Sequence, residues 1–399
     1  MRKWWGSVVV VVCIVAIYIC YCLLRPLQVS SITIDLDTPS LGDFTMDDLG
    51  LWRAAVGYIS PSTGSIQCRA LGEGENYTVP RATASLAKLI TVQVVLDKYP
   101  LAAGESGPLI TMSGDDEARY WWTVNIGGSN ARVVTGEQIS ERQLIEGILL
   151  ASANNMADSL AIWAFGSMDG YHQAANEWLA KHGLTSTTVG GDASGFDPAT
   201  KSTPTDLCKI MLLAAEEPIL AEIMAEPEAT LPTGDVIHTT NQLLGQNGIF
   251  AGKTGYTDEA GRGMVVASRQ IIEDTEIIVA GVSLSNDSYQ TAFNTTAQLV
   301  ASMPQNLRVL NLNSDVSVGE ITAPWTSNRH IIAAHGLVVP YWVDKPPTIT
   351  VTVADTIGDS LSPNSIIGRL VVDDSEVNLI VTDGLPAATA SWRLAHPYY

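Results

Sequence analysis

The chain has 399 residues, 46% of them hydrophobic and 16% charged, with 33 Gly and 19 Pro. That composition excludes a disordered or fibrous protein and leaves room for two or three folded units. Lys and Arg total 22 against 42 Asp and Glu, a formal charge of −20, so the surface repels phosphate backbones and no nucleic-acid partner is expected.

Met1-Arg2-Lys3 is followed by an uncharged run from Trp4 to Leu24, long enough to cross ~30 Å of hydrocarbon. Residues 1–24 are expected to form a transmembrane anchor, with the basic pair on the cytoplasmic side and Trp and Tyr near both interfaces. A cleaved signal peptide would carry a shorter apolar region ending at an A-x-A-like site, whereas LLRPLQ follows here. Cys13, Cys20 and Cys22 lie in this span as small apolar residues. Cys68 and Cys208 remain for the exterior, and the sequence leaves open whether they are isolated thiols or a disulfide.

Residues 25–50 are polar, acidic and turn-rich and read as a stalk. Trp52 to Ser60 and Ser65 to Leu71, around PSTG, form an expected hairpin, and Ala84 to Leu96 has a helical apolar face. A helical region follows. Ser140-Glu141-Arg142-Gln143 has the form of a capping box, Ala157 to Trp163 stays in helical register, Asp169 to His182 stops at Gly183, and Thr205 to Ala215 is a further capped helix. Gly263 to Arg269 and Glu276 to Leu284 then alternate as an antiparallel pair. From about Leu310 the runs IIAAHGLVV, TITVTVA, SIIGRLVV and VNLIVTDG indicate a small all-β unit. The expected organisation is an α+β domain over 51–305, with strands at both ends and helices between, followed by a β-rich domain over 310–399.

Three groups of residues could carry chemistry. Ser85 precedes Lys88 by three positions at the start of a helix, so the two share a face. A lysine whose pKa is lowered by burial and a nearby positive charge can take the proton of that hydroxyl, making Ser85 a nucleophile. Ser152-Ala153-Asn154 lies between two helices, where a hydroxyl and a carboxamide can point at a substrate. Lys253-Thr254-Gly255, followed by Tyr256, opens a strand; the glycine would let a substrate lie along the strand edge, and the lysine and hydroxyl can bind a carboxylate. Each group alone has a bland explanation, such as a capping serine or a polar helix junction.

Together and in this order, S-x-x-K, S-x-N and K-T-G match the signature of penicillin-binding proteins and class A β-lactamases. The stretches ASLAKLITVQVVL, LLASANNMADSLA and GIFAGKTGYTDEAGRG, over roughly residues 50 to 300, resemble the penicillin-binding serine D-alanyl-D-alanine carboxypeptidases of low molecular mass. The resemblance implies a β-lactamase/transpeptidase-like domain, an antiparallel sheet with a helical subdomain. It also implies a Ser85 acyl-enzyme, Lys88 as base, Ser152 as proton relay and Asn154 holding both the lysine and the substrate. Lys253, Thr254 and Gly255 would form the substrate-binding strand, and the backbone N–H groups of Ser85 and Tyr256 the oxyanion site. Peptidoglycan stem peptides would be the substrate and β-lactams covalent inhibitors, with no metal or cofactor. The chain would sit in the bacterial cytoplasmic membrane with its catalytic domain on the cell-wall side. Two departures stand out: SNDSYQTAFN lacks an arginine that many relatives carry near that point, and SWRLAHPYY lacks an amphipathic terminal face.

A class A-like β-lactamase is the nearest alternative, with Glu226 in EPEAT as its candidate deacylation base, although that glutamate falls far beyond Ser152 and reads as a surface turn. A D,D-endopeptidase would use the same residues. An inactive peptidoglycan-binding scaffold is the rival from a different class. The six histidines show no zinc-peptidase spacing. Asn76, Asn286 and Asn294 form N-x-S/T triplets without further signal.

Overall fold

The central sheet of the catalytic region is built from strands distant in sequence. In the computed structural model, which describes all residues except 1, 37–38, 47–52, 73–77 and 355, five antiparallel strands lie in the order Ile249–Thr257, Gly261–Ile272, Thr275–Asn286, Ala54–Ile59 and Ile66–Leu71. Trp52 and Asn76 fall outside the described residues. Val56 stands opposite Gly281, and Gly57 opposite Ala280. Gly281 faces Thr296 and Leu299 of the Tyr289–Ala301 helix, whereas Gly57 faces Cys208 of the Pro204–Glu216 helix. Because neighbouring residues of a strand point to opposite faces, these two helices cover opposite faces of the sheet.

The helical region packs as one apolar cluster in which Leu89, Ile90, Leu144, Ile148, Leu160 and Leu212 are buried. Its helix starts are capped by local side chains. Ser140 Oγ accepts from Gln143 N, and Gln143 Oε1 accepts from Ser140 N, before the Glu141–Leu149 helix. Thr203 caps the Pro204–Glu216 helix, which has Pro at its first position, where the missing N–H is no loss. Gly166 closes the Asn154–Phe165 helix in the left-handed conformation, as glycine commonly does at a helix end. These elements belong to one compact unit, Asp43–Arg308.

The second unit comprises Met1–Gly42 and Val309–Tyr399. It holds a six-stranded antiparallel sheet in the order Ser31–Ile34, Ser317–Thr322, Arg329–Ala333, Ser375–Val381, Ser365–Val372 and Ile349–Val353, over a core that includes Ile321, Ile331, Leu370 and Leu379. The expectation of a bare stalk over 25–50 is therefore corrected. Ser31–Ile34 is an edge strand of this sheet, and Ile32 and Ile34 pack on its core. Four residues followed by an acidic turn carry too little alternation to be told from a linker.

The Arg2–Leu24 helix includes Trp5–Leu24, 20 residues of which an 18-residue stretch has a mean hydropathy of 2.9, long and apolar enough to cross a membrane. Its far end is held by the SWRLAHPYY tail. Arg25 donates to the carbonyls of His396 and Tyr399, and Arg393 donates to the Arg25 carbonyl at 2.7 Å.

Candidate active site

The Ser85–Lys88 pair does not sit on one continuous α-helix, as its apolar pattern suggested. Ala84–Ala87 is a 3-10 turn leading into the α-helix Lys88–Lys98. With three residues per turn, positions i and i+3 eclipse, which brings Lys88 Nζ to 2.7 Å from Ser85 Oγ. Lys88 is completely buried. Its nitrogen also lies 2.7 Å from Asn154 Oδ1 and 3.1 Å from the Ser194 carbonyl. A neutral amine can donate two N–H to those oxygens and direct its lone pair at the Ser85 hydroxyl. Burial lowers the Lys88 pKa to about 7, against an opposing pull from Asp192 and Asp158.

Ser152 occupies the junction between the Glu141–Leu149 and Asn154–Phe165 helices. Its φ is +59°, and that of Ala84, next to Ser85, is +48°. Left-handed non-glycine residues are strained and persist only where packing overrides the preference. Here both lie beside groups that could react. Lys253 Nζ donates to Ser152 Oγ at 2.9 Å and to the Thr254 carbonyl at 3.0 Å. Burial depresses the Lys253 pKa well below its ordinary value, and the Lys88 charge depresses it further. Two ammonium groups so placed repel each other, which favours states in which one amine is neutral.

Lys253-Thr254-Gly255 runs through the middle of the Ile249–Thr257 strand rather than opening it. The glycine has a packing reason that the sequence did not suggest. A Cβ at Gly255 would lie 3.0 Å from the Thr83 carbonyl oxygen, 3.1 Å from Leu86 Cγ and 3.2 Å from Leu86 N. Its missing side chain lets the strand close on the turn that carries Ser85. Thr254 Oγ1 donates to Thr240 Oγ1 at 2.7 Å.

Above these groups opens a cleft of 530 Å³ lined by Ser85, Ser152, Asn154, Thr254, Tyr256 and Tyr289, among others. The structure thus brings Ser85, Lys88, Ser152, Asn154, Lys253, Thr254, Gly255 and Tyr256 to one place, with both lysines buried beneath the cleft. Among the described residues no group of His, Cys, Asp and Glu is arranged to hold a metal ion.

Sequence reasoning missed the loop DASGFD. Asp158 accepts from Ala193 N at 2.9 Å, and Asp192 accepts from Ser194 N and Asp197 N, each at 2.6 Å. These bonds present the Ser194 carbonyl to Lys88. The signal was available as two aspartates flanking a small-residue turn, but nothing in their spacing points to a lysine a hundred positions away. Tyr289, from the arginine-free stretch SNDSYQTAFN, is a second addition to the cleft wall. Arg262 stacks over Tyr256 at 4.3 Å and reaches Tyr289 at 6.0 Å, measured to the ring centroids. Glu226, the β-lactamase candidate, is instead bound by Arg142 at 2.5 Å within a group that includes Glu146 and Glu222, and it does not line the cleft.

The family model Peptidase_S11, D-alanyl-D-alanine carboxypeptidase, matches residues 68–288, more than half of the chain. The chain is 30% identical over 201 residues to the D-alanyl-D-alanine carboxypeptidase DacB2 of Mycobacterium tuberculosis, covering 49% of this chain and 65% of that protein. It is 32% identical over 191 residues to a D-alanyl-D-alanine endopeptidase of Pseudomonas aeruginosa, covering 46% and 58%. The matches therefore span less than two thirds of these curated relatives. Penicillin binding protein 5 from Haemophilus influenzae has the same fold, with a TM-score of 0.61 at 19% identity over 88% of this chain and 100% of that one.

Proposed function

Because this chain belongs to the D-alanyl-D-alanine carboxypeptidase family, we propose that its cleft removes the terminal D-alanine from peptidoglycan stem pentapeptides through a Ser85 acyl-enzyme. The observation that carries the reading is the hydrogen-bonded run from Ser85 through Lys88 to Asn154 at the cleft floor. Neutral Lys88 takes the Ser85 proton as Oγ attacks the penultimate carbonyl. The N–H groups of Ser85 and Tyr256 receive the oxyanion, each donor contributing ~3 kcal/mol. Ser152, bonded to Lys253, passes a proton to the departing amine of D-alanine. Thr254 meets the terminal carboxylate, with the Lys253 charge behind it, and Asn154 holds both Lys88 and the substrate amide. Water then attacks the acyl-enzyme and releases the shortened peptide. β-Lactams acylate the same hydroxyl.

The Arg2–Leu24 helix anchors the chain in the bacterial cytoplasmic membrane, and both folded units face the cell wall. A D,D-endopeptidase activity on cross-linked peptides uses the same residues and is favoured by the similarity to the Pseudomonas protein. Chromatography of muropeptides before and after incubation separates the two. Release of single D-alanine supports the carboxypeptidase, and loss of dimers supports the endopeptidase. A product profile identical to that of Ser85→Ala, with no fluorescent-penicillin adduct on either protein, refutes both.

A further inference from the structure

Outside the apolar helix the chain carries two cysteines, Cys68 and Cys208, and the proposed chemistry uses neither. The fold brings them to one point. Cys68, in the edge strand Ile66–Leu71, stands opposite Gly57 in the antiparallel register. A Cβ at Gly57 would lie 2.7 Å from Cys68 Sγ and 2.5 Å from Cys208 Sγ. Both sulfurs thus occupy the space that a side chain at position 57 would fill. Glycine weakens a strand interior, and here its lack of a side chain is what admits two sulfurs side by side. Both are free thiols in this structure, Cys208 buried in the sheet-covering helix Pro204–Glu216 and Cys68 partly exposed.

The geometry points to a Cys68–Cys208 disulfide, a covalent staple joining the edge of the sheet to the helix packed beneath it. Its loop encloses Ser85, Lys88, Ser152 and Asn154, so the cross-link ties together both ends of the segment that supplies the reacting groups. Stabilisation by a cross-link grows with the length of chain it closes. The oxidant is a disulfide donor, either an exported thiol–disulfide oxidoreductase or, in the tube, oxidised glutathione. The Cys68 thiolate attacks one donor sulfur and expels the first donor thiolate. The Cys208 thiolate then attacks Cys68 Sγ of the mixed disulfide and expels the second. Two cysteine thiols lose two electrons, the donor disulfide gains them, and the two cysteine protons end on the donor thiols. Burial and contact with Cys68 push the Cys208 thiol well above its ordinary range, so this second attack is slow in the finished fold and faster while the chain is still folding.

The inference draws on the outward placement proposed above for its natural oxidant, but its chemistry can be tested without it. The full chain is purified from membranes lysed in N-ethylmaleimide, denatured and mapped by mass spectrometry without reduction. The expected result is one linked pair of peptides containing Cys68 and Cys208, two hydrogens lighter than the separate thiols and split by dithiothreitol. Reduction should lower the melting temperature by about 5–15 °C. Cys68→Ser and Cys208→Ser should each melt like the reduced protein and no longer respond to dithiothreitol. A sample in which both cysteines carry N-ethylmaleimide, and still react with it after refolding in oxidised glutathione, overturns the proposal. So does pairing of either one with Cys13, Cys20, Cys22 or a second chain. If wild type and both serine variants show the same fluorescent-penicillin acylation, a missing link sinks the staple alone; if acylation is absent while the linked pair is present, only the catalytic reading fails.

Discussion

Gly255→Ala separates two reasons for a glycine in the Lys253-Thr254-Gly255 strand. If the residue only leaves room for substrate along the strand edge, alanine should raise KM and leave the fold as stable as before. The structure assigns it a different burden. The added Cβ would stand 3.0 Å from the Thr83 carbonyl oxygen, 3.1 Å from Leu86 Cγ and 3.2 Å from Leu86 N. Two of these three neighbours are backbone atoms, so no side-chain rotation relieves all of the contacts. Relief requires the strand and the Ala84–Ala87 turn to part by a few tenths of an ångström, and overpacking of this kind costs about 1–3 kcal/mol. In a unit of this size that corresponds to a melting temperature lower by roughly 3–10 °C. The same displacement moves Tyr256 away from Ser85 and so separates the two proposed oxyanion donors. Loss of one such donor lowers turnover by about 10²–10³-fold. The assay is the rate of acylation by fluorescent penicillin, paired with scanning calorimetry. A variant that melts with wild type and acylates at the wild-type rate would refute the packing argument, and a KM effect without any change in melting would restore the substrate-room explanation.

With Lys88 at about pKa 7, the base is neutral above that pH and protonated below it, so acylation of wild type should rise roughly tenfold from pH 6 to pH 8; stopped-flow measurements giving a flat profile would remove Lys88 as base. Asp158 favours protonated Lys88, so Asp158→Asn should move that profile to lower pH, while a shift to higher pH would contradict the electrostatic role. Glu141 is fully buried with neither carboxylate oxygen hydrogen-bonded among the described residues, and burial raises its pKa from 4.5 to about 7. The folded state therefore holds this proton more tightly than the unfolded chain. Stability should fall by on the order of 1–2 kcal/mol as pH rises from 4.5 to 7, and denaturant titrations should show that slope absent in Glu141→Gln. Glu226→Gln should leave the lifetime of the penicillin adduct unchanged, because its carboxylate is engaged by Arg142; a longer lifetime would revive the β-lactamase alternative.

What the sequence made legible, and what it did not, follows from the range of the interactions involved. The capping box at Ser140 and Gln143 and the cap at Thr203 are decided within one helical turn, and the antiparallel pair Gly261–Ile272 and Thr275–Asn286 within one hairpin, and local pattern reveals them. Ser85 and Lys88 are also local, and their three-residue spacing identifies a shared face even though the turn is 3-10 rather than α. The contacts that give the site its chemistry are not local. Lys88 is held by Asn154 and by the carbonyl of Ser194, and Lys253 by Ser152. No periodicity encodes such pairings, and in the sequence only a resemblance in motif order points to them. The same limit explains the stalk. Ser31–Ile34 gains its conformation from Ser317–Thr322, far along the chain, and four residues taken alone cannot announce a partner. Gly255 joins the two levels. Locally it weakens its strand, yet its empty Cβ position is what lets that strand reach the turn bearing the nucleophile. A residue that local propensity disfavours is therefore what the fold needs where two distant segments must touch, and an unfavourable local choice beside a chemically suggestive motif is itself a signal of the site.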